Sequence, residues 1–202
     1  MGPRGSYKKS ETSRKQVIEA AVTALAERGY ARTSVSDIAS AAGMSKGAVH
    51  YHFESKDDLI VQVLERCAAL MRERVRQAWD APGEPMEKVR RALGAMRTMR
   101  KEGGPELRVL ADLMAQGIHD PKLQAPLAAM FEANRKEVLD HVVQSLEQFG
   151  LKPRVPARVI PRLLLGALDG LALHDFFDPP ALEDDQTIEK ALETIAVMLF
   201  EG

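Results

Sequence analysis

Between Ser34 and Phe53 the spacing of small, apolar and turn residues leaves few folds open. Ile38 and Ala39 come first, Gly43 follows four residues after the alanine, and Val49 lies six further on. Two short helices that cross closely need this order. A small residue must sit where they touch. A glycine must supply positive φ in the tight turn, and an apolar residue on the second helix must reach back to the first. Ala42 and Met44 add apolar contacts around the turn. Ser34 with Asp37 reads as a capping pair for the first helix, and Ser45 opens the second. The spacing predicts a helix-turn-helix.

The rest of the chain keeps a helical period. Ile18, Ala21, Val22 and Leu25 form one stripe, with Ser10 or Thr12 as a possible cap and Gly29 at its end. Ser55 and Asp58 start a long helix carrying Leu59, Ile60, Val63, Leu64 and Cys67. "DAPGEP" (80–85), "KEGGPE" (101–106) and "FDPPALEDD" (177–185) end helices, and "HDP" (119–121) caps a new one. Pro126 and Pro161 either kink a first turn or mark a later start. No alternating apolar run of useful length appears, so the expected class is all-α with about nine helices. The expected organisation is a flexible arm over 1–9, a three-helix DNA-binding domain over 10–56 and a helical ligand-binding and dimerisation domain over 57–202. The longest apolar stretch, Val155 to Phe177, is broken by Arg158, Pro161, Arg162, Asp169 and His174, so no membrane span is expected. No apolar leader opens the chain, and its single cysteine excludes an internal disulfide. A cytoplasmic protein is the resulting expectation.

Charge is unevenly spread. Residues 1–56 carry nine Lys/Arg and five Asp/Glu, a balance of +4, whereas the remainder carries −5. A basic head on an acidic body suggests a polyanionic partner for the head. The second short helix would present Ser45, Lys46, Ala48, His50 and Tyr51 outward, with His52 just beyond. Small residues at its start let backbone and Lys46 approach base edges. Tyr51 and His52 can hydrogen-bond phosphate, with Lys56 beside them, and Thr33 and Ser34 can bond another. A metal site is a poor alternative, because His50 and His52 diverge by about 200° on a helix and no Cys or third His lies near. No nucleophile–base pair, phosphate loop or metal motif is visible, so neither an enzyme nor a cofactor is expected.

The stretch "GYARTSVSDIASAAGMSKGAVHYHFESKDDLI", Gly29 to Ile60, resembles the DNA-binding head of the tetracycline-repressor (TetR) family. The glycines, Ile38–Ala39, Phe53, Lys56 and Leu59 fall in place together. The resemblance implies a homodimer on a near-palindromic double-stranded operator, usually a repressor, released when a ligand binds the C-terminal domain. It implies that Ser45, Lys46, Gly47 and Ala48 lie at the groove. It also implies that Thr33, Ser34, Tyr51, His52 and Lys56 contact phosphate. His50 departs from the tyrosine frequent at its place, which bears on base preference.

Within 155–177 the apolar residues run nearly all round, as in a helix buried on more than one side. Gly166 and Gly170 let another helix come close. The dimer interface is expected at Leu163, Gly166, Gly170 and Leu171, with Ile188, Leu192, Ile195 and Leu199 from the last helix. Methionines suit an apolar cavity that adapts its shape. Candidate ligand contacts are Met96, Leu110, Met114, Met130 and Phe131, with His119, Asp169 and His174 as polar groups. The effector expected is small and apolar or amphipathic. The competing expectation is an architectural or activating DNA-binding protein of the same fold without an inducer.

Overall fold

The computed structural model describes the backbone of residues 4–143, 146–147 and 149–201, and the side chains of 10–140, 143, 146–147 and 149–200. Of the expected arm, residues 1–3 lie outside the described residues. Nine α-helices are present among those described: α1 (Arg4–Arg28), α2 (Val35–Ala41), α3 (Lys46–His52), α4 (Lys56–Asp80), α5 (Pro85–Glu102), α6 (Pro105–Gly117), α7 (Pro121–Glu137), α8 (Ile160–Asp175) and α9 (Leu182–Met198). A π-helical turn, Val138–Val143, follows α7. The all-α expectation holds. A two-residue antiparallel pairing of Lys152–Pro153 with Phe200–Glu201 is the one strand contact among the described residues.

Two compact units share the chain. The first takes residues 1–69 and 105–130, the second 70–104 and 131–202. Thus α6 and the first half of α7 belong with the helix-turn-helix, which the division at residue 56 did not anticipate. Helix α1 begins at Arg4 rather than at Ser10 or Thr12, and it takes up most of the stretch expected as an arm. Both candidate caps lie inside it. Pro161 sits in the first turn of α8 and marks a helix start. Pro126 lies within α7, where its ring nitrogen offers no donor to the Lys122 carbonyl.

In the first unit, α1 packs against α2, α3 and α6, with Val17, Ala21 and Leu25 of α1 buried and Leu59, Ile60 and Val63 of α4 buried as well. Gly117 lets α6 and α7 approach, because a Cβ there would stand 2.2 Å from Leu127 Cδ1. In the second unit, Trp79, Leu93, Val143, Leu146, Ile160 and Phe200 form the core. Beside that core lies a buried charge network. Asp185 is fully buried and takes Arg97 at 2.5 Å, Arg100 at 2.5 Å and Lys101 at 2.9 Å. Arg100 also holds Asp175 at 2.6 Å. Burial pushes the Asp185 carboxyl up, but hydrogen bonds from Lys101, Arg97 and Arg100 outweigh this and hold it at about 2. The network ties α5 to α8 and α9. Among the described residues no helix is long and apolar enough to cross a membrane.

Candidate nucleic-acid interface

Local chemistry fixes α2 and α3. The Ser34 hydroxyl accepts from Asp37 N, and Asp37 accepts in return from Ser34 N, a complete capping box. Gly43 turns the chain with φ of 65°, a conformation unfavourable for a side chain with a Cβ. Met44 N then donates to Ala39 O at 2.9 Å, and Gln16 of α1 donates to Ala42 O at 2.9 Å. Ser45 caps α3 by accepting from Ala48 N at 3.1 Å. Val49 and Phe53 plug α3 into the core at 1% and 2% exposure. The seven-residue helix therefore has one face fixed from behind, with Lys46, Gly47 and His50 exposed on the other. Tyr51 is 78% exposed, and its ring meets His52 edge-on.

Several expected contacts are placed otherwise. Thr33 is buried, and its hydroxyl donates to Gly29 O at 2.8 Å. The Ser34 hydroxyl donates to the Asp37 carboxylate at 2.5 Å. Hydrogen bonds from Ser34 hold that carboxyl below its ordinary range, so its negative charge persists beside the helix start. In the chain without DNA both hydroxyl protons are thus directed to partners within the protein, and Ser34 stays exposed while Thr33 does not.

His52 Nε2 lies 2.8 Å from Ser13 Oγ, whose own proton goes to Ser10 O. This hydrogen bond pins α3 to α1. Lys56 Nζ donates to Tyr30 O at 2.7 Å and stands 4.0 Å from the centre of the Tyr30 ring. Desolvation lowers its pKa from the ordinary lysine value. Ser45, Lys46, Gly47, His50 and Tyr51 are exposed, whereas Ala48, His52 and Lys56 are half-buried, the last two with partners inside the protein.

A second set of polar contacts was invisible in the sequence. Tyr30 N donates to Asp112 of α6 at 2.6 Å. The Tyr30 hydroxyl reaches Asp120 at 3.4 Å, and Lys122 pairs with Asp57 at 2.9 Å. Burial, then the charge of Asp120, raises the Tyr30 pKa. The partners of Tyr30 lie 82 and 90 residues away, and no local pattern announces such a pairing.

The second unit holds an apolar cavity of about 270 Å³. Of the expected ligand contacts only Met96 lines it. Leu110 and Met130 are buried in the first unit, where Met114 also lies, and His119 is exposed at a turn. Phe131 belongs to the second unit but is not in the cavity wall. Asp169 keeps solvent access, yet the protein atoms crowded around it push its carboxyl up to about 6. His174 lines a separate groove with Gly166, Gly170, Leu171, Ile188 and Ile195. Leu163 and Ile195 stand half exposed. A Cβ added at Gly166 or Gly170 would meet nothing within 4 Å. Leu192 also lines that groove while packing against the core, and Leu199 packs against the core without lining it.

A helix-turn-helix head followed by a helical body with an apolar cavity defines a class, the helix-turn-helix transcriptional regulators. Residues 17–63 match the family described as "Bacterial regulatory proteins, tetR family", and residues 85–199 match "BetI-type transcriptional repressor, C-terminal". The chain belongs to the TetR family of transcriptional regulators, a family of regulators and not of enzymes. It is 24% identical to the transcriptional regulator AcrR of Shigella flexneri, over 97% of this chain and 92% of that protein. It is 29% identical to the regulator BetI of Stenotrophomonas maltophilia, over 80% of each. In fold it resembles a TetR-family regulator from Rhodococcus sp. with a TM-score of 0.78 at 21% identity, over 92% of this chain and 99% of that one.

Proposed function

We propose that this chain is a cytoplasmic repressor that binds a near-palindromic DNA operator as a homodimer and releases it when a small effector enters the second unit. The exposed face of α3 carries the reading. Gly47 and Ala48 leave backbone room for base edges, Lys46 supplies a donor there, and Tyr51 offers a hydroxyl to phosphate. His50 is exposed beside them and tunes base preference.

The homodimer is supported by the unburied apolar side of α8 and α9. Leu163, Leu173, Ile195 and Met198 are each at least half exposed, beside the open glycines. Apolar exposure of this extent marks an interaction surface. A self-complementary contact through the same helices of a second copy covers it. The effector site is supported by the cavity between α5, α8 and the chain end.

The test is selection of the purified chain on a randomised duplex library. Recovery of a palindrome with half-sites spaced by about one helical turn or more supports the reading. Salt-sensitive binding without sequence enrichment overturns it in favour of an architectural role.

A further inference from the structure

The cavity of the second unit has a chemistry that selects its occupant. Its wall includes Trp79 of α4, Leu93 and Met96 of α5, Val138 of the π-helical turn, Leu168 of α8 and Phe200. Among the described residues no charged, amide or hydroxyl side chain lines it. The charges nearest in sequence are committed elsewhere. Lys88 Nζ donates to Trp79 O at 3.0 Å and stands 5.8 Å from the Trp79 ring. Arg91 donates to Ala78 O at 3.1 Å and Ala81 O at 2.7 Å. Arg97 and Arg100 are held in the Asp185 network.

A cationic ligand would need a carboxylate or a cage of aromatic faces. The cavity offers Trp79, whose ring already has a lysine beside it, and Phe200. An anionic ligand would need donors, and the described side chains provide only the indole N–H. Among the described residues no other polar side chain replaces the hydration that an ion would lose here. Size adds a second limit. An apolar cavity of ~150 Å³ holds one benzene ring, so 270 Å³ corresponds to roughly ten to twelve carbon-sized atoms by the same scale. The adjoining π-helical turn, a feature frequent at functional sites, contributes Val138 to the wall.

We infer that the second unit binds a neutral, compact hydrocarbon-like molecule and rejects cationic and anionic ones of the same shape. The inference rests on the effector reading above, and it names the ligand class of that site. The experiment uses the full chain without DNA and three compounds built on one adamantane cage: 1-adamantanol, 1-adamantylammonium and adamantane-1-carboxylate. Calorimetric titration is expected to show binding of the alcohol, with both ions weaker by about tenfold or more. Equal or tighter binding of either ion overturns the inference, as does absence of binding by all three.

Ala92→Leu and Leu168→Phe narrow the cavity from different helices. The variant that keeps the parent thermal melt is expected to lose about tenfold in affinity for the alcohol. Undiminished affinity in both variants overturns the inference. Repeating the titration with a selected duplex separates the two claims. Alcohol bound with duplex retained refutes the effector reading while supporting the ligand class. Alcohol bound with duplex released supports both.

Discussion

Helix α3 shows solvent Lys46, His50 and Tyr51, whereas α8 shows it Leu163 and Leu173. Both helices leave side chains uncovered, with opposite chemistry. The means of holding each helix also differ. Helix α3 is plugged by Val49 and Phe53 and pinned by one hydrogen bond between His52 and Ser13. Helices α8 and α9 are tied to α5 by buried ions, Arg100 with Asp175 and Asp185. A polar surface needs only a shallow apolar anchor behind it. An apolar surface awaiting a partner has its residues facing outward, so the unit gains orientation from polar groups facing inward. On the proposed function, the first exposed face meets a polyanion and the second an apolar surface.

The largest expected effect breaks the second anchor. Asp185→Ala leaves Arg100 buried with half its pairing gone, and loss of one partner of a buried pair costs about 3–5 kcal/mol. Urea unfolding of the variant should show a correspondingly lower midpoint. An unchanged midpoint would show that α8 and α9 are held by apolar packing alone.

Next comes the exposed tip of α3. Tyr51→Ala should weaken binding to the selected duplex by about 1.5–3 kcal/mol, the usual worth of a hydrogen bond to a charged group. Stability should be unaffected, because the side chain is exposed. Fluorescence anisotropy at fixed salt reads this directly, and full retention of affinity would remove Tyr51 from the interface.

Acid titration sharpens the contrast between anchors. The carboxyl of Asp185 is held at about 2 in the folded chain against about 3.9 when unfolded. Its contribution is present in full above the unfolded value and is lost as pH falls through the folded one. The size is about 2.6 kcal/mol. Unfolding free energies of the parent and Asp185→Asn between pH 5 and pH 2 should converge at the acid end, and parallel curves would contradict the assignment. The smallest effect falls on the α3 pin. Ser13→Ala should cost about 1 kcal/mol of stability and weaken DNA binding several-fold through looser placement of His52. Equal affinity in both proteins would leave His52 without a positioning role.

What could be read from the sequence followed the range of the interactions. The turn between α2 and α3 rests on contacts spanning a few residues: Ser34 with Asp37, Ser45 with Ala48, and the positive φ of Gly43. Such contacts leave their signature in spacing. The same locality does not report a side chain's partner within the protein, as with Thr33 and Gly29 O. Residue type announces that Thr33 can bond a phosphate, but not that it is buried.

The apolar cavity was largely illegible for a different reason. Met96 lines the cavity while Leu110, Met114 and Met130 lie in the first unit. Each sits in an apolar helical stripe, and periodicity does not say which core a stripe enters. Asp185 read as one acid in the run "LEDD", and Arg100, its partner 85 residues earlier, gave no hint of the pairing. The start of α1 was misplaced because Ser10 and Thr12 are good caps by type, yet the helix continues back to Arg4.

The central claim is that the polar face of α3 meets DNA while the apolar face of α8 and α9 meets a second copy. The most direct measurement is the mass of the complex between the full chain and its selected duplex, by analytical ultracentrifugation, for the parent and for Leu163→Glu with Ile195→Glu. The account predicts an even number of chains on each duplex for the parent. It predicts dissociation to single chains and loss of tight binding in the double variant. One chain per duplex in the parent, or an unchanged complex after both substitutions, would contradict it.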